Sequence, residues 1–438
     1  MPRAPKKLSI LSLQYYSFPD EVGGAWKVTH EVNKRLVAMG HQVSLITCKP
    51  SHSLPDSETI DGVRFERVGF RASKNSIRLW RGVRKLAHSI CDRSPVNLIH
   101  IHNPLVGFLA LTVPRLWRIP KVYHFHSSWY DEERINRRQE NGFWLEFHLN
   151  VIRLMEWFCY LSAKSVLFLS EYSRRRFLEY YPWTGPRPGG MRLNLVSRFI
   201  ALVRFLCVGP SSTGRVGGIR LEVIPGGVDV EEFRPLDPRE SLEGLREALE
   251  LPTDKPVLLT VRRLEARMGL ENLIEAVEVL KHRCPELDFL LVIGGKGSLA
   301  QPRDSLVKEK GLDDRVKLRG KIPNEKLPLY YRASDVFILP TTSIEGFGLV
   351  TVEALASGLP VLGTPVGGTV EILGAIDEKL LFNGTGPDSL ADGIEAFLKN
   401  SQPRDLLKKN CRDTALLRYS WDRVMGRIED ILIQSVKV

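Results

Sequence analysis

A strand, a glycine turn and a helix recur in that order along this chain, and the rhythm restricts the fold more than any other feature. Leu8-Ser-Ile-Leu-Ser-Leu13 reads as a strand; a loop ending Gly23-Gly24 follows, then a helix on which Val28, Val32, Leu36 and Val37 recur at helical spacing until Gly40 ends it. Gln42-Val-Ser-Leu-Ile-Thr47 reads as the next strand. The order returns in the second half, where Val257–Val261 precedes a glycine segment and Phe289–Ile293 runs into Gly294-Gly295-Lys296-Gly297. Strands separated by crossover helices pair in parallel, so the expected class is α/β with Rossmann-like, doubly wound sheets. A chain of 438 residues is too long for one ordinary core and suits two such domains.

Composition excludes several classes. The 43% hydrophobic and 26% charged residues are ordinary for a globular chain. Cys48, Cys91, Cys159, Cys207, Cys284 and Cys411 are scattered without a C-x-x-C pair, which argues against a disulfide framework and a zinc-thiolate site and for a reducing cytoplasm. No signal peptide and no run of roughly 20 apolar residues is legible. Charge is uneven. Residues 1–225 hold 33 Lys+Arg against 17 Asp+Glu, a balance of +16, which leaves −5 for the remainder of the net +11. A basic half suits an anionic surface; with no helix-turn-helix, zinc finger or RNP-type aromatic pattern, a membrane face is expected rather than nucleic acid. Arg78, Arg81 and Lys85 share one predicted helix face, with Arg84 beside them and Leu79, Val83 and Leu86 opposite, a pattern shared by interfacial and merely solvated helices.

Three groups of residues carry chemistry. In Glu345-Gly-Phe-Gly-Leu-Val-Thr-Val-Glu353, two acids flank a glycine turn and an apolar run. Leu349 to Ser357 reads as a helix closed by Gly358, so the turn sits at a helix N-terminus, where the amides of Phe347, Gly348 and Leu349 suit a phosphate. Ionised carboxylates only accept hydrogen bonds, which suits sugar hydroxyls; phosphate plus polyol points to a sugar nucleotide. A core-helix acid paired with an arginine is the other reading of Glu353. Val96-Asn-Leu-Ile-His100-Ile-His102 and Lys121-Val-Tyr-His124-Phe-His126 both end strand-like runs in paired histidines, each pair on one strand face; no carboxylate or cysteine completes a ligand set, so no metal is expected there. Arg262-Arg263 and Arg267 follow the strand Val257–Val261, and Lys296 lies in the next glycine loop; these are the cations available if a departing phosphate must be met by fixed positive charge. Asp-x-Asp, a holder of Mg²⁺ or Mn²⁺, is absent.

The Glu345 to Glu353 stretch resembles the E-x7-E signature of the retaining glycosyltransferases of family 4. Tyr331-Arg-Ala-Ser-Asp335-Val-Phe-Ile-Leu-Pro340, Gly367-Gly-Thr-Val-Glu371 and Leu221-Glu-Val-Ile-Pro225-Gly-Gly-Val-Asp229 are similar to the flanking and linker segments of that family. The resemblance implies the GT-B fold, two Rossmann-like doubly wound domains facing across a cleft. It implies Glu345 at the donor-sugar hydroxyls with Phe347 and Gly348 nearby, Glu353 at the ribose, Ile322 at the start of the nucleobase pocket and Arg263 at the diphosphate. His126 would stand near the reacting sugar, and Gly24 would lie in the glycine loop that meets donor and acceptor. The family lysine before Gly269 is replaced by Met268, and Arg267 is the expected substitute.

The expected domains are 1–228 on the acceptor side, with an insertion at about 182–220 foreign to the family pattern, 229–418 for the donor nucleotide sugar, and a helix 419–438 crossing back. Leu193 to Leu206, within the insertion, is too short and charged to span a membrane; an interfacial anchor, an added helix and a poorly ordered or spurious insertion are the readings it leaves open. The expected activity is retaining, metal-independent transfer of a hexose from a nucleoside-diphosphate sugar, with no cofactor, to a lipid-linked, oligosaccharide or other hydroxyl acceptor at the cytoplasmic membrane face. The alternatives are a soluble enzyme glycosylating a small metabolite and a catalytically impaired sugar-nucleotide-binding or scaffold protein.

Overall fold

The computed structural model describes residues 7–21, 23–70, 75–137, 140, 142–180, 219–297, 300–400 and 404–437. The expected insertion at 182–220 lies almost wholly outside them. The chain forms two compact units, Met1–Ile224 with Met425–Val438, and Pro225–Val424.

The first unit is built on an eight-stranded sheet of order β3-β4-β2-β1-β5-β6-β7-β8. Its strands are β1 Ser9–Leu13, β2 Gln42–Cys48, β3 Ser57–Ile60, β4 Val63–Val68, β5 Leu98–Ile101, β6 Lys121–Phe125, β7 Ser165–Phe168 and β8 Arg220–Val223. All pairs are parallel except β3 with β4, an antiparallel edge hairpin. Every residue of β5, β6 and β7 is buried. This is the mark of a parallel sheet covered on both faces, and each Val, Leu or Ile so buried contributes about 1.5–3 kcal/mol. Helix Gly24–Ala38 buries Val28, Val32 and Leu36 from the expected spacing. Helix Ser76–Arg93 buries Leu79 and Val83 and leaves Arg78, Arg81 and Lys85 exposed, as its pattern required, while Arg84 stacks over Trp80 at 4.9 Å.

The second unit carries a five-stranded, all-parallel sheet, β11-β10-β9-β12-β13. Its strands are β9 Val257–Val261, β10 Leu290–Gly294, β11 Val316–Gly320, β12 Val336–Leu339 and β13 Val361–Gly363. The signature stretch becomes helix Leu349–Ala356, between β12 and β13.

The unit boundaries lie a few residues from those drawn on the sequence. The last sheet bond of β8 runs from the Ile224 amide to the Phe168 carbonyl at 2.8 Å, and Pro225 has no amide to extend it. At the far end Ser420 still bridges Val228 inside the second unit, so the first resumes at Met425 rather than 419. Within the first unit, the terminal helix Trp421–Lys437 sets Glu429 2.9 Å from His41 and Arg427 on the Val223 carbonyl at 2.8 Å.

Candidate functional site

In the second unit the segment after β12 is shaped by two arginines from the segment after β9. Side chains alternate along an extended strand, so Arg262 and Arg263 part company where β9 ends. Arg262 is buried; its guanidinium donates to Thr341 Oγ1 and to the Glu345 carboxylate at 2.5 Å, and the Thr341 hydroxyl reaches the same carboxylate at 3.2 Å. Burial lowers the Arg262 pKa, opposed by Glu345. Arg263 is exposed and makes no hydrogen bond or ion pair among the described residues. Arg267 donates to the Ile344 carbonyl at 2.8 Å, while its own carbonyl accepts from the Thr342 amide at 3.0 Å. Arg267 therefore holds the Glu345 loop through at least one of its five donors, a structural duty beside the one expected of it. Met268 is buried. Next to it, Gly269 sits at φ +69, and a Cβ there would fall 1.8 Å from the Pro340 carbonyl oxygen.

The loop is fixed from its other side as well. Gly368 donates its amide to the Glu345 carbonyl at 2.8 Å, and Gly367, at φ +62, lies so close that a Cβ would stand 2.0 Å from the same oxygen. The chain then turns through Gly348 at φ +88 into helix Leu349–Ala356, whose N-terminus has no side-chain cap. No acceptor among the described residues takes the amides of Phe347, Gly348 or Leu349. Phe347 is buried and meets Tyr419 edge to face at 5.7 Å.

Glu353 stands one turn along that helix, 5% exposed, and accepts from the Tyr331 hydroxyl at 3.1 Å. Burial, and then Glu353, pushes the Tyr331 phenol far above its ordinary range, so the hydroxyl remains a donor. Arg412 donates to the carbonyls of Ala356, Phe233 and Val230 at 2.6, 2.8 and 3.0 Å, tying down the C-terminal end of the helix. Ile322 is buried against Gly294, and Lys296 is exposed in the loop after β10. Arg262, Arg267, Thr341, Glu345 and Gly367 thus form one connected group, with Glu353 on the helix it feeds. The sequence reading named Arg262 only as one of a run of cations and gave Tyr331 and Arg412 no role at the site; strand alternation at Arg262-Arg263 signalled only that the two side chains diverge.

In the first unit, Gly24 opens helix Gly24–Ala38 behind an extended Gly23. His126 follows β6, buried, with Nε2 3.1 Å from His102 Nδ1. His100 and His124 complete a group of four imidazoles, and one ligand nitrogen from each of His100, His102 and His124 lies within 4.8 Å of the others. β5 and β6 are adjacent and in register, so the two histidine pairs, far apart in sequence, become one cluster. Burial lowers all four pKa values, that of His124 to about 4, so the rings are neutral near pH 7.

Residues 243–414 match the family described as glycosyl transferases group 1, and residues 22–187 match glycosyltransferase family 4. The chain belongs to glycosyltransferase family 4. A D-inositol 3-phosphate glycosyltransferase from Xylanimonas cellulosilytica is 33% identical over 223 residues, 50% of this chain and 52% of that one, so this chain spans about half the length of that family 4 relative. A glycosyltransferase of Methanocaldococcus jannaschii, itself uncharacterised, is 25% identical over 95% of both chains. Among solved structures, sucrose-phosphate synthase from Thermosynechococcus elongatus superposes with a TM-score of 0.75 at 22% identity, covering 98% of this chain and 99% of that one. WaaG, a glycosyltransferase of lipopolysaccharide biosynthesis, gives 0.69 at 18% identity, covering 97% and 99%. These likenesses show the fold, which is GT-B with two Rossmann-like parallel sheets.

Proposed function

We propose that this family 4 protein transfers a hexose from a nucleoside-diphosphate sugar to a hydroxyl acceptor with retention of anomeric configuration. The observation that carries the reading is the Glu345 loop, braced by Arg262, Arg267 and Gly367 and delivering three unclaimed amides at a helix N-terminus. Preorganised donors of this kind stabilise charge that develops on a leaving phosphate without reorganising. In this reading the exposed Arg263, with Lys296, meets the diphosphate, and the reaction needs no metal there. Glu345 accepts from sugar hydroxyls through the carboxylate oxygen that Arg262 does not hold. Glu353, with one oxygen on Tyr331, accepts from the ribose, and Ile322 borders the base.

The bond from the anomeric carbon to the diphosphate oxygen breaks as the acceptor oxygen bonds to that carbon on the same face, and the acceptor proton passes to the departing phosphate. No side chain is assigned as a covalent nucleophile. His126, neutral, offers its Nδ1 to the sugar.

The acceptor is proposed as a polyol or lipid-linked hydroxyl. The inositol 3-phosphate named for the Xylanimonas relative and the phosphatidylinositol monomannoside named for a Mycobacterium tuberculosis relative, 29% identical over 55% of its length, support that class. A peripheral membrane position is supported by the exposed basic face of helix Ser76–Arg93. An apolar stripe on helix Phe143–Ser162 adds to it, where Phe143, Trp144 and Phe147 are 74%, 78% and 53% exposed. No helix among the described residues is long and apolar enough to cross a membrane. A second reading, a sugar-nucleotide binder without turnover, draws on Met268 and on the closed Arg262–Glu345 pair.

The test is a thermal-shift panel of UDP, GDP, ADP and their sugars, followed by hydrolysis and transfer assays on the wild type and Glu345→Gln. A stabilising nucleotide with turnover lost in the variant is expected. Binding without turnover in the wild type supports the second reading, and no binding by any nucleotide sinks both. Sedimentation with anionic liposomes at low salt checks the membrane position, which fails if the protein stays in the supernatant.

A further inference from the structure

The four histidines of the first unit are more than the single sugar-facing imidazole needs. Ile101 pairs with Tyr123 across β5 and β6, so His100, His102, His124 and His126 emerge on one face of neighbouring strands, towards their C-terminal ends. Their rings crowd together, with centroids of His100 and His102 4.0 Å apart and tilted by 46°, and those of His124 and His126 4.7 Å apart and nearly parallel. His100, His102 and His124 are 0%, 4% and 1% exposed. Both nitrogens of His100, both of His124 and Nε2 of His102 have no hydrogen-bond partner among the described residues.

Leaving a buried polar atom unsatisfied costs about 1–3 kcal/mol. Apolar side chains would fill the same face without that cost, so packing alone does not account for three polar rings here. An occupant that takes imidazole lone pairs does.

We propose that His100, His102 and His124 form a binding site for one divalent transition-metal ion of the zinc class, with His126 as the residue that positions His102. The donor set is all nitrogen. Imidazole suits zinc, copper, nickel and iron, whereas magnesium and calcium require oxygen ligands, which this set lacks. A tetrahedral ion with bonds of about 2.1 Å holds its nitrogens about 3.4 Å apart, and the three ligand nitrogens here lie within 4.8 Å of one another. Three protein ligands leave a fourth position for water or a substrate oxygen. Bound through Nε2, His102 carries its proton on Nδ1 and donates it to His126 Nε2, the outer-shell hydrogen bond that fixes the tautomer of a ligating histidine. The proposal rests on residues of the first unit alone, and failure of the sugar-nucleotide reading leaves it untouched.

The full chain, with any affinity tag removed, is stripped with EDTA, exchanged into metal-free buffer and titrated with Zn²⁺ and with Co²⁺. One equivalent of zinc retained after gel filtration, a raised melting temperature and a visible cobalt spectrum of tetrahedral intensity are expected. The double variant His100→Gln, His124→Gln loses all three. His126→Gln keeps the stoichiometry with affinity lowered about tenfold to a hundredfold. The exposed His282→Gln changes nothing. Absence of retained zinc and of a tetrahedral cobalt spectrum in the wild type overturns the proposal, as does unchanged binding in a double variant with native circular dichroism. Should the double variant fail to fold, the wild-type stoichiometry and cobalt spectrum decide alone.

Discussion

The guanidinium of Arg262 donates to the Glu345 carboxylate at 2.5 Å, with the two side chains only 5% and 13% exposed. The first acid of the signature is therefore held by a cation from a different strand end, and its direction is set before any ligand arrives. Removing one partner of a buried pair strands the other without compensation. Arg262→Met is expected to lose about 3 kcal/mol in urea unfolding, whereas Glu345→Gln, which can still accept from Arg262, loses less. A cost for Arg262→Met within about 0.5 kcal/mol, the range of ordinary surface substitutions, would show that the pair carries no stability.

Gly367 controls the same loop through its backbone. Gly367→Ala meets both a left-handed φ of +62 and the Glu345 carbonyl oxygen at 2.0 Å. Gly311, at φ +59 with nothing within 4 Å, isolates the conformational cost alone. Calorimetry is expected to give about 1 kcal/mol for Gly311→Ala and at least twice that for Gly367→Ala, with turnover falling only in the latter. Equal costs at the two positions would remove the clash from the account.

Tyr331 fixes one oxygen of Glu353 at 3.1 Å inside the core. Tyr331→Phe keeps the ring packing and deletes the donor, so a stability loss of about 1–3 kcal/mol is expected. Isothermal titration with whichever nucleotide stabilises the protein should show weaker binding as Glu353 loses its orientation. Unchanged stability and unchanged affinity together would refute this role.

Burial pushes the thiols of Cys48 and Cys411 up to about 12. Native protein at pH 8 should leave both unmodified by a thiol-disulfide reagent and release them only on unfolding. The sign for stability follows. Between the ordinary thiol range near 8.5 and about 12, the folded state holds protons that the unfolded state has lost, so stability falls as pH rises through that window. Cys48→Ala should flatten part of that alkaline slope; reaction of either thiol at the rate of an exposed cysteine would contradict the burial.

The sequence by itself determined the two α/β units, the positions of several strands in each and the helix that carries Glu353, because parallel strands buried on both faces and helices buried on one leave different apolar periods. It also marked Glu345 and Glu353 as acids flanking a glycine turn and a helix, while Arg263 and His126 were marked only through the family resemblance. Only the tertiary structure decided that Arg262 rather than Arg263 turns inward to Glu345, because strand alternation predicts that neighbouring side chains diverge but not which of them faces the core. The structure likewise joined Tyr331 to Glu353 across 22 residues and Arg412 to Ala356 across 56. His100 and His124 met only through the register of β5 on β6. Sheet pairing brings together side chains that spacing along the chain cannot relate, and the histidine cluster exists because of that pairing alone.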